Sequence, residues 1–143
     1  MDTTSLNRLS TESAPIRVRT IREVEGIMNG KMDLFFYWEG KYYLLDWKSN
    51  FLGDNVEEYD ESGLQEAMNE NNYHLQYLIY TLAAKKYLES RLPLFDYEKE
   101  FGGVIYLFLR GIRKEAQTGI FAIKPLVSQI EKLEEMLAGD VIA

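Results

Sequence analysis

Cysteine is absent from the chain's 143 residues. That excludes disulfides and thiolate metal sites, and it fits a cytoplasmic protein. No apolar run approaches the length needed to span a bilayer, so no membrane partner is expected. The segment from Met1 to Pro15 is polar and lacks the apolar core of a secretory signal. A glycine-rich phosphate loop is missing too. Gly26-Ile27-Met28-Asn29-Gly30 lacks the Lys-Ser/Thr pair such a loop needs, so no ATP site is expected. Lysine and arginine are absent from Phe51 to Ala84, a stretch that holds Asp54, Glu57, Glu58, Asp60, Glu61, Glu66 and Glu70.

That gap contributes to a formal net charge of −7 and an isoelectric point near 4.8. An acidic balance counts against nucleic-acid binding by the isolated domain, because phosphate contacts need Lys and Arg. The cations collect elsewhere: Arg17, Arg19 and Arg22; Lys85, Lys86 and Arg91; Arg110, Arg113 and Lys114. Each group reads as solvated surface, or as part of a channel that a larger assembly completes.

The length suits one domain with a sizeable core. A hydrophobic share of 46% and a charged share of 27% are ordinary for a globular protein. Residues 1–15 read as a flexible leader, and 16–143 as the domain. Patterning predicts a strand over 16–28 and hairpin arms over 31–38 and 41–48 around the turn Glu39-Gly40. A loop over 49–59 leads to a short helix at 60–71, which Asn71-Asn72 interrupts. The strongest helix follows at 73–92, with Leu75, Ile79, Leu82 and Ala83 at helical spacing, and Pro93 ends it. A polar connection over 96–101 precedes an apolar strand at 103–109. A polar loop, a short strand at 120–123 and a helix over 126–137 complete the chain. That last helix has Leu126, Ile130, Leu133 and Leu137 on its stripe. The order predicts a single layered α/β domain, with a mixed central β-sheet flanked by helices.

Chemistry concentrates in the hairpin. With a symmetric two- or four-residue loop, Trp38 faces Lys41 and, counting back in step, Asp33 faces Asp46. Opposed residues share a sheet face, with Cβ atoms roughly 4.5–5.5 Å apart. Two carboxylates so placed repel. A divalent cation removes that penalty, and Mg2+ prefers oxygen ligands. Lys48 shares the parity of Asp46 and points to the same face. It would offset charge building on a phosphate, position the attacking water, or pair with one of the acids. The second arm is apolar on both faces, which predicts a central strand where an acid is costly unless paired or metal-bound. Gln76 and Tyr80 are four apart on the long helix and share a face. They serve as a surface and core pair, or as contacts to DNA phosphates or to the catalytic strand. His74, the only histidine, is a metal ligand, a general base or a partly exposed helix residue. Trp38, Tyr42 and Tyr43 read as packing residues.

Gly30-Lys31-Met32-Asp33, then Leu44-Leu45-Asp46-Trp47-Lys48-Ser49-Asn50, then Gln76-x-x-x-Tyr80 resemble the motifs of the PD-(D/E)XK nuclease superfamily. Within it the chain resembles the C-terminal nuclease domain of RecB-type subunits of exodeoxyribonuclease V. Phe101 to Gly111 adds to the likeness, which covers about residues 24–138. The resemblance implies a restriction-endonuclease-like fold. It implies Mg2+, or Mn2+, held by Asp33, Asp46 and the Trp47 backbone carbonyl. Lys48 becomes the catalytic lysine, and Gln76 and Tyr80 the helix motif. The implied activity is exonucleolytic cleavage of DNA within a helicase–nuclease for double-strand break repair and recombination. The implied partners are DNA, an upstream helicase domain of the same subunit, and RecC-like and RecD-like subunits. One departure stands out. The family carries a metal-ligating His on a helix before the hairpin, and no His precedes the hairpin here. The chain therefore reads as a C-terminal piece with weak metal affinity and low isolated activity. The alternative is a non-catalytic nuclease-like module that contacts partners or DNA ends.

Overall fold

The computed structural model describes residues 32–142, with side chains described through residue 138. The expected leader, the expected strand at 16–28 and the first residue of the first hairpin arm lie outside the described residues.

Strands β1 (Leu34–Trp38) and β2 (Lys41–Lys48) form the predicted hairpin, with Trp38 opposite Lys41 and Leu34 opposite Leu45. Glu39 and Gly40 take φ of 47° and 81°. Both central residues of a tight hairpin turn need positive φ to match the strand twist, and Gly40 adopts it without a Cβ clash. β2 lies between β1 and β3 (Phe101–Phe108), to which it runs parallel. β4 (Ile120–Ile123) closes the sheet antiparallel to β3, giving the order β1-β2-β3-β4. The sheet is therefore mixed, as the pattern predicts.

Parallel neighbours need a crossover. Here it runs through α1 (Glu61–Glu70), α2 (Tyr73–Arg91) and the short α3 (Tyr97–Glu100). Asp60 caps α1 by accepting from the Gly63 N–H at 2.9 Å. Asn72 takes left-handed φ and ψ of 56° and 30°, which breaks the chain between α1 and α2. Asn tolerates that region better than most residues. A 3₁₀ turn at Val56–Tyr59 ends the stretch expected to be all loop, and the expected polar connection coils into α3.

Alternation sets the core. Leu44, Asp46 and Lys48 are buried on one face of β2, in register with Val104, Tyr106 and Phe108 of β3. Tyr73, Tyr77, Tyr80 and Ala84 of α2 join that core cluster. The other face of β2 is only half-buried, so its central position comes from strand pairing rather than equal cover on both sides. A register shift between Tyr42 and Tyr43 falls opposite Gly102 and Gly103, where Gly103 has φ 132°. A Cβ there would meet the Ile123 carbonyl oxygen at 2.8 Å.

The last helix, α4 (Val127–Ile142), packs on a second side of α2 through Ile79, Leu82, Ile130 and Leu133. Two residues leave their predicted stripes. Leu75 is exposed, because α2 turns Gln76 and Tyr80 to the sheet instead. Leu126 is exposed and precedes α4, where its carbonyl accepts from the Gln129 and Ile130 amides. Among the described residues, no helix is long and apolar enough to cross a membrane.

Candidate active site

β1 stops at Leu34, one residue short of the predicted acid pair. Asp33 sits just beyond, and its Oδ2 accepts the Trp47 N–H at 2.9 Å. The side chain thereby extends the hairpin where the ladder ends. A strand residue's N–H and C=O point to the same edge, so the Trp47 carbonyl also lies toward Asp33.

Asp33, Asp46 and Lys48 are exposed by only 4%, 1% and 5%. The Lys48 Nζ lies 2.9 Å from Asp46 Oδ2 as an ion pair, although the approach does not meet hydrogen-bond geometry. Asp33 Oδ1 and both oxygens of Asp46 are buried without a hydrogen-bond donor. Burial therefore pushes the Asp33 carboxyl up to about 7. A proton on Asp33 would let it hydrogen-bond Asp46, which raises it further, as does the Asp46 charge; the Trp47 amide and Lys48 pull the other way.

Lys48 is fixed from the helix side. Its Nζ donates to Gln76 Oε1 at 2.9 Å, and that oxygen also accepts from the Tyr106 hydroxyl at 2.8 Å. The ammonium lies 4.1 Å from the Tyr73 ring centroid and 5.1 Å from that of Tyr106, within cation–π range. Tyr73 in turn donates to Asn50 Oδ1 at 3.1 Å. Burial first, and then the negative charge of Asp46, raises the hydroxyl pKa of Tyr80 and Tyr106. Tyr73 shifts the same way, against its bond to Asn50. All three stay neutral around the acids.

The structure thus brings together Asp33, Asp46, Trp47, Lys48, Gln76 and Tyr80. His74 is elsewhere. Its Nδ1 meets the Tyr77 hydroxyl at 3.0 Å, and its Nε2 meets Asn69 Oδ1 at 2.8 Å and Gln65 Nε2 at 3.0 Å. Tyr73 and Tyr106 were not singled out from the sequence. Their signal was present: Tyr73, Gln76 and Tyr80 recur at helical spacing, and Tyr106 is the β3 partner of Asp46. Among the described residues no group of three or more His, Cys, Asp or Glu gathers to hold a metal.

A mixed sheet flanked by helices, with two acids and a lysine gathered at the open end of its first hairpin, defines a restriction-endonuclease-like α/β domain. No protein-family profile matches the chain. Individual relatives do. It is 48% identical over 118 residues to the RecBCD enzyme subunit RecB of Escherichia coli, covering 82% of the chain and 10% of that protein. The RecB of Haemophilus influenzae is 47% identical over 112 residues, covering 78% of the chain and 9% of that protein. The RecB of Mycobacterium tuberculosis is 31% identical over 122 residues, or 80% of the chain and 11% of that protein. The chain belongs to the RecB family, and it spans about a tenth of the length of the curated relatives it matches.

Proposed function

We propose that the chain is a metal-dependent DNA nuclease domain, hydrolysing phosphodiester bonds as the exonuclease portion of a RecBCD-type helicase–nuclease. In that reading it works beside a helicase portion of the same subunit and with RecC-like and RecD-like subunits, in double-strand break repair and recombination. The observation that carries the reading is the set of three buried carboxylate oxygens of Asp33 and Asp46 without a hydrogen-bond donor, only one of which, Asp46 Oδ2, is ion-paired with the Lys48 ammonium. Buried charge is costly unless paired or coordinated. A hard divalent cation fits that donor set, and Asp33, Asp46 and the Trp47 carbonyl would hold it.

Mg2+ or Mn2+ bound there would supply Lewis-acid polarisation of the phosphoryl group and acidify the attacking water. The chain's own residues do the rest. Asp33, just before β1, and Asp46, within β2, anchor the site. Lys48 offsets the charge that builds on the phosphate. Gln76 holds that ammonium in place through Oε1, and Tyr80 supports the acid pair from the same helix face.

Asp46→Ala and Lys48→Ala should each lower metal-dependent DNA cleavage by at least about a hundredfold, the usual cost of removing a charge-stabilising group. Retained cleavage in either variant contradicts the assignment. Among the described residues no third acid or histidine joins the pair, which favours one other reading, a nuclease-like module that does not cut. Under that reading the unmodified protein shows no metal-dependent cleavage at all.

A further inference from the structure

Lys48 and Phe108 are the last pair in the parallel register of β2 and β3. The chain therefore leaves both strands at one end of the sheet, and α/β sheets bind ligands outside the carboxyl ends of their strands. Two exit segments meet there. Arg110 Nε–H donates to the Ser49 carbonyl at 2.8 Å, which ties the β3 exit to the residue directly after Lys48. The Leu52 N–H donates to the Tyr59 hydroxyl at 3.0 Å, which fixes the backbone beyond. Between these anchors Phe51 is 61% exposed, with the Arg110 guanidinium 5.8 Å from its ring centroid.

Arg110, Arg113 and Lys114 have no acidic partner among the described residues, where the ion pairs are Lys48–Asp46, Lys85–Glu89 and Lys86–Glu134. In a chain of net charge −7, that leaves three cations without an acidic partner in one short segment, which Arg110 ties to the residue after Lys48. The Nη groups of Arg110 carry no hydrogen bond among the described residues. An open aromatic ring beside a forked cation suits one ligand above others: a base stacks on the ring, and a phosphate takes the guanidinium.

We propose that Phe51 and Arg110 form a contact for single-stranded DNA next to the acid pair. An unpaired base stacks on Phe51, and the adjoining phosphate bonds to Arg110. The substrate class rests on the nuclease reading above. The geometry favours a single strand because duplex bases already stack on each other and offer no free face to the ring. Phe51 is three residues beyond Lys48, at most about 10 Å along the chain, so the contact would align the strand entering the site.

The test is equilibrium binding of 2-aminopurine-labelled single-stranded DNA in EDTA, where cleavage is silent. Phe51→Ala should weaken binding by about 5- to 100-fold and abolish the stacking quench, while Phe51→Trp retains both. Arg110→Ala should lower the slope of log affinity against log salt by about 0.7, and Arg110→Lys should preserve the slope. Affinity for blunt duplex should change less than twofold in every variant. Unchanged single-strand affinity, equal losses on single strand and duplex, or no binding by the unmodified protein each overturns the proposal. Failure of the nuclease reading would appear separately, as cleavage that survives Asp46→Ala.

Discussion

Asp33 and Asp46 face each other inside the protein with three oxygens lacking donors, and that is an energetic liability in the metal-free chain. The Asp33 carboxyl responds by moving up to about 7, chiefly through burial. A carboxyl whose folded value lies above its unfolded one supports folding fully below the unfolded value, near 3.8. That support is lost as pH rises through about 7. Asp33→Asn keeps an oxygen for the Trp47 amide and removes the ionisation. Thermal melts in EDTA should therefore show the variant gaining on the unmodified protein between pH 5 and pH 8, while losing cleavage. A constant difference across that range would contradict the account of Asp33. At this scale hairpin arithmetic found the acids and Lys48, because parity and register are written in the sequence. It did not find that Gln76 Oε1 accepts from Lys48 and Tyr106 together, because that contact depends on how α2 is seated over β3.

The elements divide the same way. The hairpin and α2 were legible because a Glu-Gly turn between two β-prone arms, apolar residues at helical spacing and a closing proline are local signals. The stripes were less so. The sequence pattern put Leu75 and Leu126 inward, yet both are exposed: the buried surface of α2 follows the sheet and α4 together, and Leu126 precedes the first turn of α4. The 3₁₀ turn at Val56–Tyr59 was also hidden, although it has a structural task. The Tyr59 hydroxyl accepts from the Leu52 N–H, and the Tyr59 carbonyl accepts from the Gly119 N–H, so one residue ties the exit of β2 to the entry of β4. Asp60 begins α1 immediately afterwards. Asp60→Ala should cost about 1 kcal/mol of stability, the usual value of an N-cap, with cleavage per folded molecule unchanged. Urea unfolding would check this; an unchanged midpoint would show that the bond from Gly63 contributes nothing.

Over the whole molecule, charge is segregated. The stretch after β2 is acidic through the end of α1, and three cations without an acidic partner among the described residues lie together after β3. Composition alone argued against DNA; the distribution explains how an acidic chain can still present a cationic edge beside its acids. Two carboxylates and one carbonyl leave several positions of a hexacoordinate cation to water and phosphate, so affinity for the ion alone should be weak and should rise with DNA bound. The account stands on the claim that Asp33 and Asp46 hold a divalent cation beside Lys48. Crystals of the protein soaked in millimolar Mn2+ and measured for anomalous scattering test it directly. The account predicts an anomalous peak within bonding distance of both carboxylates. A soaked crystal with no peak there, or with Mn2+ only on the surface acids of α1, would contradict it.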